Sequence, residues 1–254
     1  MDFTNKYTNN DEEKILLRKI DDLMRRSRKT YSALYSHFLT PAEQALIMKA
    51  DEFYGAVSLC GGYDEAERRL CRVQTEEYAE DSGAPIRLYH IKATAADAEF
   101  SHRDILGSLM GLGIKREMVG DIITDGSSAQ FFCHSSVSEF IELNLQKVGR
   151  YRIKISVGTL NEPPVLQTEK VMINVSSMRL DSICAESFGV SRTKAAELIK
   201  KGFVSVNWLV CENISKEVSD GDKISMRSKG KVRIGGITGT SKKGRLFVDI
   251  FKYI

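Results

Sequence analysis

The stretch at 179–233 constrains this chain more than any other. It opens RLDSICAESFGVSRTKAAELIKKGFVSVN and closes GDKISMRSKGKVR. That order sets out a short helix, a capped cationic helix, a tight turn and a Lys/Arg-rich hairpin. Ser191 precedes a helical run and is placed to cap it, accepting a hydrogen bond from an amide two or three residues on. Arg192 and Lys194 fall in the first turn, where free N–H groups and the helix dipole already favour an anion. Cations there are locally unfavourable, and a phosphate that neutralises them relieves the conflict. Ala195, Leu198 and Ile199 form the buried stripe, and Gly202 takes the left-handed position after the helix. Val204 and Val206 alternate with Ser205 and Asn207 as a short strand does. Gly221-Asp222 turns the chain into 223–233, where Arg227, Lys229, Lys231 and Arg233 recur every second residue and project from one strand face.

Taken singly, such cations are ordinary solvated surface. Their distribution is not ordinary. Residues 179–254 hold 15 of the 37 Lys and Arg but only 8 of the 34 Asp and Glu, leaving 22 against 26 elsewhere. The formal charge of +3 thus conceals a basic C-terminal module on a mildly acidic body, an asymmetry that points to nucleic acid. The string resembles the S-four RNA-binding domain, or αL motif, of a small-subunit ribosomal protein and many RNA-modifying enzymes. Its motif positions match at Arg179, Leu180, Asp181, Ser191, Arg192, Ala196, Ile199, Gly202, Val204, Val206, Asn207, Gly221, Asp222, Ile224 and Arg227. Charge pattern and resemblance together give the candidate RNA contacts Arg179, Ser191, Arg192, Lys194, Lys200, Lys201, Asn207, Arg227, Lys229, Lys231 and Arg233.

With 254 residues, the chain has room for more than one modest domain. The expected fold class is α+β in three segments: a helical N-terminal region at 1–78, a ferredoxin-like or RRM-like domain at 79–175, and the αL module at 176–254. Residues 11–29 read as an amphipathic helix whose terminal Arg25, Arg26, Arg28 and Lys29 suit the dipole. Thr40-Pro41-Ala42-Glu43 is a capping box with proline at the first helical position, opening a helix to about Glu52. A short strand at 56–60 and a helix from Asp64 follow. In the middle segment, strands at 86–94, 119–124, 129–133 and 151–157 alternate with helices at 101–112 and 137–148. Asp125-Gly126 marks a hairpin. The order β-α-β-β-α-β is that of the split βαβ fold. Residues 158–164 read as a loop and 165–175 as one more strand.

The aromatic stacking pattern expected on the third strand of an RNA-recognition motif is absent at Gln130-Phe131-Phe132-Cys133. Tyr89 and Phe131 are the remaining candidates for stacking faces, although strand aromatics more often pack in cores. The string FSHRDILGSLMGLGIKREMVGDI at 100–122 is more specific. Ser101 caps a helix in which Gly107, Gly111 and Gly113 imply a close approach by a partner or backbone. His102, Arg103, Lys115 and Arg116 flank that helix and join the candidate RNA contacts. Together with the C-terminal module, this string resembles the YlmH-type proteins of Gram-positive bacteria over about residues 80–254. The resemblance implies binding to large-subunit ribosomal RNA, with peptidyl-tRNA as a further partner. It also implies a role in ribosome-associated quality control, in which the nascent chain on an obstructed large subunit is tailed and released.

An enzyme is the alternative. Arg179-Leu180-Asp181 mimics the RLD of pseudouridine synthases, where the Asp is the nucleophile, but Ser182-Ile183-Cys184 replaces the Thr-Ser-Gly that follows there, so Asp181 reads as structural. Gly235 to Lys242 lacks phosphate-loop spacing and reads as a basic hairpin tip. The four histidines, His37, His90, His102 and His134, have no metal-ligand spacing. The five cysteines are scattered, without a CxxC pair, as free thiols of a reducing compartment are. No run reaches the length of a membrane span, and the polar N-terminus carries no signal peptide core. The expectation is a cytoplasmic, monomeric, non-catalytic RNA binder without metal or cofactor.

Overall fold

Asn10 starts the first helix. Its side chain accepts the Glu12 amide, three acids fill the first turn, and Arg28 and Lys29 occupy the last, so charge matches the dipole at both ends. In the computed structural model, which describes residues 2–77, 79–95, 97–159 and 168–253, this is α1 (Asp11–Thr30), burying Leu17, Ile20 and Met24. Next come β1 (Leu34–Leu39) and α2 (Pro41–Lys49), the latter opened by the expected Thr40–Glu43 capping box. β2 (Val57–Cys60) and β3 (Arg69–Val73) complete an antiparallel sheet ordered β1-β3-β2.

The expectation of a helical N-terminal region, with a helix starting at Asp64, is corrected by that sheet. Leu70 of β3 joins Phe38, Ile86, Leu88 and Phe132 in one core, whereas Cys71 and Val73 join Leu17, Ile20, Leu39 and Phe53 in another. A strand covered on both faces shows no apolar–polar alternation, and its short apolar run cannot be told from a helix by period alone.

The expected split βαβ arrangement follows. β4 (Ile86–Ala93), α3 (His102–Gly111), β5 (Val119–Asp125), β6 (Ser128–His134), α4 (Ser138–Asn144), β7 (Lys147–Val148) and β8 (Tyr151–Gly158) build an antiparallel sheet ordered β5-β6-β4-β8-β7. The crossover through α3 therefore spans β6 to reach β5. The helix expected at 137–148 is shorter, because residues 147–148 already pair with β8. Tyr89 and Phe131 are fully buried, their rings stacked with centroids 5.3 Å apart. They are core groups, and the stacking role considered for them is withdrawn. A Cβ on Gly107, Gly111 or Gly113 would meet nothing within 4 Å, so among the described residues no backbone of this chain makes the close approach expected there. Gly113 instead supplies a left-handed turn, with φ +83°.

Two compact units result, Met1–Pro164 and Val165–Ile254, in place of segments 1–78, 79–175 and 176–254. The core shared by Phe38, Leu70, Ile86, Leu88 and Phe132 merges the first two segments. Gly120 marks the junction: a Cβ there would stand 2.8 Å from the Phe38 ring and 3.0 Å from Phe132 Cβ. Gly120→Ala is expected to cost about 1–3 kcal/mol through overpacking, read as a lower urea midpoint.

β9 (Thr168–Val175) belongs with the second unit, since it pairs along its length with β14 (Leu246–Tyr253). The loop expected from 158 lies outside the described residues beyond 159. After β9 come α5 (Leu180–Phe188), α6 (Arg192–Lys200), β10 (Val204–Val206), β11 (Leu209–Val210), β12 (Lys223–Met226), β13 (Gly230–Thr240) and β14. The antiparallel sheet is ordered β11-β10-β12-β13-β14-β9. Its inner face packs Val204, Ile224, Val232, Ile234, Val248 and Ile250 against Leu180, Ile183, Ala195 and Ile199 of the two helices. Residues 235–239 lie within β13, with two register shifts, so the glycine string is strand and the hairpin tip is 241–245. Among the described residues, no helix is long and apolar enough to cross a membrane.

Candidate nucleic-acid interface

Asp181 organises the N-terminal ends of α5 and α6. Its side chain is buried, and each oxygen accepts two hydrogen bonds. Oδ1 takes Arg179 Nε at 3.1 Å and the Ser182 amide at 3.0 Å; Oδ2 takes Arg179 Nη2 at 3.2 Å and Arg192 Nε at 2.9 Å. Burial pushes its pKa upward, but the two arginines outweigh that and hold the carboxyl below its ordinary value. The structural reading of Asp181 therefore has a geometric basis.

Ser191 caps α6 as expected, its hydroxyl accepting the Lys194 amide at 3.1 Å. Lys194 and Lys201 converge on Glu197, at 3.0 and 2.6 Å. Their hydrogen bonds lower the Glu197 pKa to about 2. Lys200 stands exposed in the last turn. Arg179, Arg192, Lys194, Lys200 and Lys201 are thus gathered around α6, with Asp181 and Glu197 fixing four of the five side chains. The carboxylates orient these cations while leaving the cluster positive.

The remaining candidates of this unit separate from that face. Asn207 has φ 48° and, with Trp208 at φ 67°, makes the tight turn between β10 and β11. Its side chain donates to Asp222 Oδ1 at 2.7 Å and accepts the Lys223 amide at 2.9 Å, so it is committed to tying two turns together. Arg227 and Lys229 sit in the turn joining β12 to β13, while Lys231 and Arg233 lie on β13. The expected single strand face of four cations is therefore divided between a turn and a strand.

In the first unit, Arg103 and Lys115 are exposed. Arg116 turns inward, donating to the carbonyls of Val119 at 2.6 Å and Gly120 at 3.3 Å. Desolvation, with the Arg68 charge beside it, lowers its pKa to about 10. Desolvation and the Arg116 charge also hold His102 below its usual range. Nearby, Asp121 accepts Tyr63 Oη at 2.6 Å and the amides of Glu67 at 2.7 Å and Arg68 at 2.9 Å. Arg116 thus acts as part of a structural junction, which corrects its placing among surface cations. The histidines also gain neighbours. His37 and His134 meet edge to face at 5.7 Å, and His37 Nδ1 lies 3.6 Å from Glu117. Among the described residues, no three His, Cys, Asp or Glu groups converge to hold a metal.

The αL geometry agrees with the family matches. Residues 80–162 match the model described as the putative RNA-binding domain in YlmH, and residues 178–224 match the S4 domain. Over 224 residues the chain is 34% identical to the ribosome-associated protein quality control protein P2 of Bacillus subtilis (strain 168), covering 86% of each chain. This chain belongs to the YlmH-type family. A solved structure, the cell division protein ylmH from Streptococcus pneumoniae, superposes with a TM-score of 0.50 at 20% identity, covering 61% of this chain and 95% of that one. That likeness concerns fold alone. As a YlmH-type protein the chain carries both family segments, the one matched at 80–162 and the S4 domain at 178–224. The first, matched at 80–162, contains the Arg116–Asp121 junction.

Proposed function

We propose that this protein is a non-catalytic, monomeric RNA-binding factor of the cytoplasm that docks on ribosomal RNA of the large subunit. There it contacts peptidyl-tRNA and acts in ribosome-associated quality control, while the nascent chain is tailed and released. It needs no metal or cofactor. The observation that carries this reading is the α6 face, where two carboxylates position four cations, Arg179, Arg192, Lys194 and Lys201, along a capped helix, with Lys200 exposed beside them. Phosphate contacts of that kind position a protein without reading sequence, so selectivity comes from RNA shape. The name and 34% identity of the Bacillus relative support the process, and the four donors already on Asp181 weigh against a nucleophile.

The tagged protein is expected to sediment with large subunits in sucrose gradients and to crosslink to ribosomal RNA and tRNA. Arg192→Ala combined with Lys194→Ala should weaken RNA binding. The slope of log affinity against log salt should fall by about 0.7–0.9 for each lost phosphate contact. An unchanged slope would place the RNA face elsewhere. Loss of a modified nucleotide on gene deletion, restored by purified protein, would favour an enzyme.

A further inference from the structure

We propose that the outer face of the six-stranded sheet, opposite α5 and α6, is a second RNA-contacting surface that takes unpaired nucleotides, stacking their bases on guanidinium planes held over its aromatic rings. The proposal rests on the RNA-binding reading above and adds to it a site on the other side of the same unit.

Register builds this face. Lys223 pairs with Arg233 and Ser225 with Lys231, and Arg233 pairs in turn with Phe251. The residues alternating with them, Ile224, Val232 and Ile250, are the buried inner set. One face of these strands is therefore aliphatic and the other aromatic and basic.

On the outer face four cations lie over rings. Arg233 is 4.2 Å from the Phe251 centroid, Lys231 5.1 Å from Tyr253, Lys223 5.0 Å from Trp208, and Arg227 5.5 Å from Phe203. The Phe251 ring is held in place, since it lies against Gly235, where a Cβ would come within 3.1 Å of it. Lys170 on β9 bonds Asp249 at 2.8 Å, the one carboxylate among these outward positions of the described strands. With that pair balanced, the positive character of the face comes first from Arg227 and Arg233.

A cation resting on a ring has its conformational freedom reduced before any ligand arrives, so binding loses less entropy. A guanidinium plane left outermost over a ring is a stacking platform for a nucleobase, and its charge meets the adjoining phosphate. Base faces are available only where nucleotides are unstacked, so the fitting ligand is single-stranded RNA. Among the described residues, no ring lies under the cations of the α6 cluster, which matches backbone phosphates. The two surfaces lie on opposite sides of the second unit and cannot grip one straight duplex.

Trp208 is the chain's single tryptophan and reports on this face. The full-length protein would be titrated with an unstructured oligouridylate and with a fully paired RNA hairpin of the same length, at fixed low salt. The single strand is expected to quench Trp208 fluorescence. Arg233→Gln and Phe251→Leu should each weaken single-strand binding by at least about fivefold, with little change for the hairpin. Arg233→Gln alters only a half-buried surface cation, so it tests the proposal even if Phe251→Leu unfolds. Single-strand affinity unchanged in Arg233→Gln overturns the proposal and leaves the α6 reading standing. If instead Arg192→Ala with Lys194→Ala changes neither RNA, the α6 reading fails by itself. A photo-crosslinker at position 251 that captures acidic protein and no RNA on intact large subunits also overturns the proposal.

Discussion

Asp121→Ala is expected to destabilise the first unit by about 2–4 kcal/mol, somewhat below the range for removing one partner of a fully buried charged network, because these groups are half-buried. Marginal stability makes that a large fraction of the total. The carboxylate accepts Tyr63 Oη and two consecutive amides of the segment leading into β3. Alanine removes this acceptor from all three donors. It also removes the counter-charge to Arg68 and Arg116, both of which are bound to backbone carbonyls and unable to swing out. Burial pushes the Asp121 pKa upward, against the pull of these hydrogen bonds and charges. Asp121→Asn keeps an acceptor oxygen and should cost distinctly less. Urea unfolding measures the loss, and hydrogen exchange locates it, with faster exchange expected first at the Glu67 and Arg68 amides. An unchanged midpoint in the alanine variant would mean that the 67–68 segment is held by the Phe38–Leu70–Phe132 core alone.

That junction also shows what a sequence hides. The αL module was legible because its signals are local: Ser191 caps the helix it precedes, Gly202 leaves it with φ +70°, and the buried stripe repeats at helical spacing. The middle sheet was legible because Asp125-Gly126 and the strand alternation fix neighbours in order. The GIKRE-x-x-GD string read as candidate RNA contacts flanking a helix, yet Gly120 is there for the approach of Phe38 and Asp121 for amides more than 50 residues upstream. No periodicity announces a contact at such separation. β1 and β3 were missed because each faces two cores. The aromatic outer face of β14 escaped notice for a related reason. In LFVDIFKY both faces carry apolar groups, and only the pairing of Arg233 with Phe251 shows which of them meet cations.

Asp181 carries the second large effect. Asp181→Ala is expected to destabilise the second unit by about 2–4 kcal/mol, because it leaves the Ser182 amide and two arginines without a buried acceptor. The pH dependence follows from the direction of the shift. The folded pKa lies below the ordinary value of 3.8, so the carboxylate's contribution is complete above about pH 4. It is lost as pH falls through the folded pKa. Asp181→Asn should therefore flatten the acid limb of the stability profile while changing its neutral value less than alanine does. An acid limb identical to the wild type's would show that other carboxylates set it. The same variant separates structure from catalysis. With both oxygens occupied by donors from Arg179, Ser182 and Arg192, the carboxylate is expected to leave the nucleosides of cellular RNA unchanged when it becomes an amide. Ribosomal RNA from Asp181→Asn cells should then match wild type by mass spectrometry, although RNA binding weakens as Arg179 and Arg192 lose their anchor. A pseudouridine missing from that RNA would return Asp181 to chemistry, and the α6 cluster would become the substrate-holding part of an enzyme.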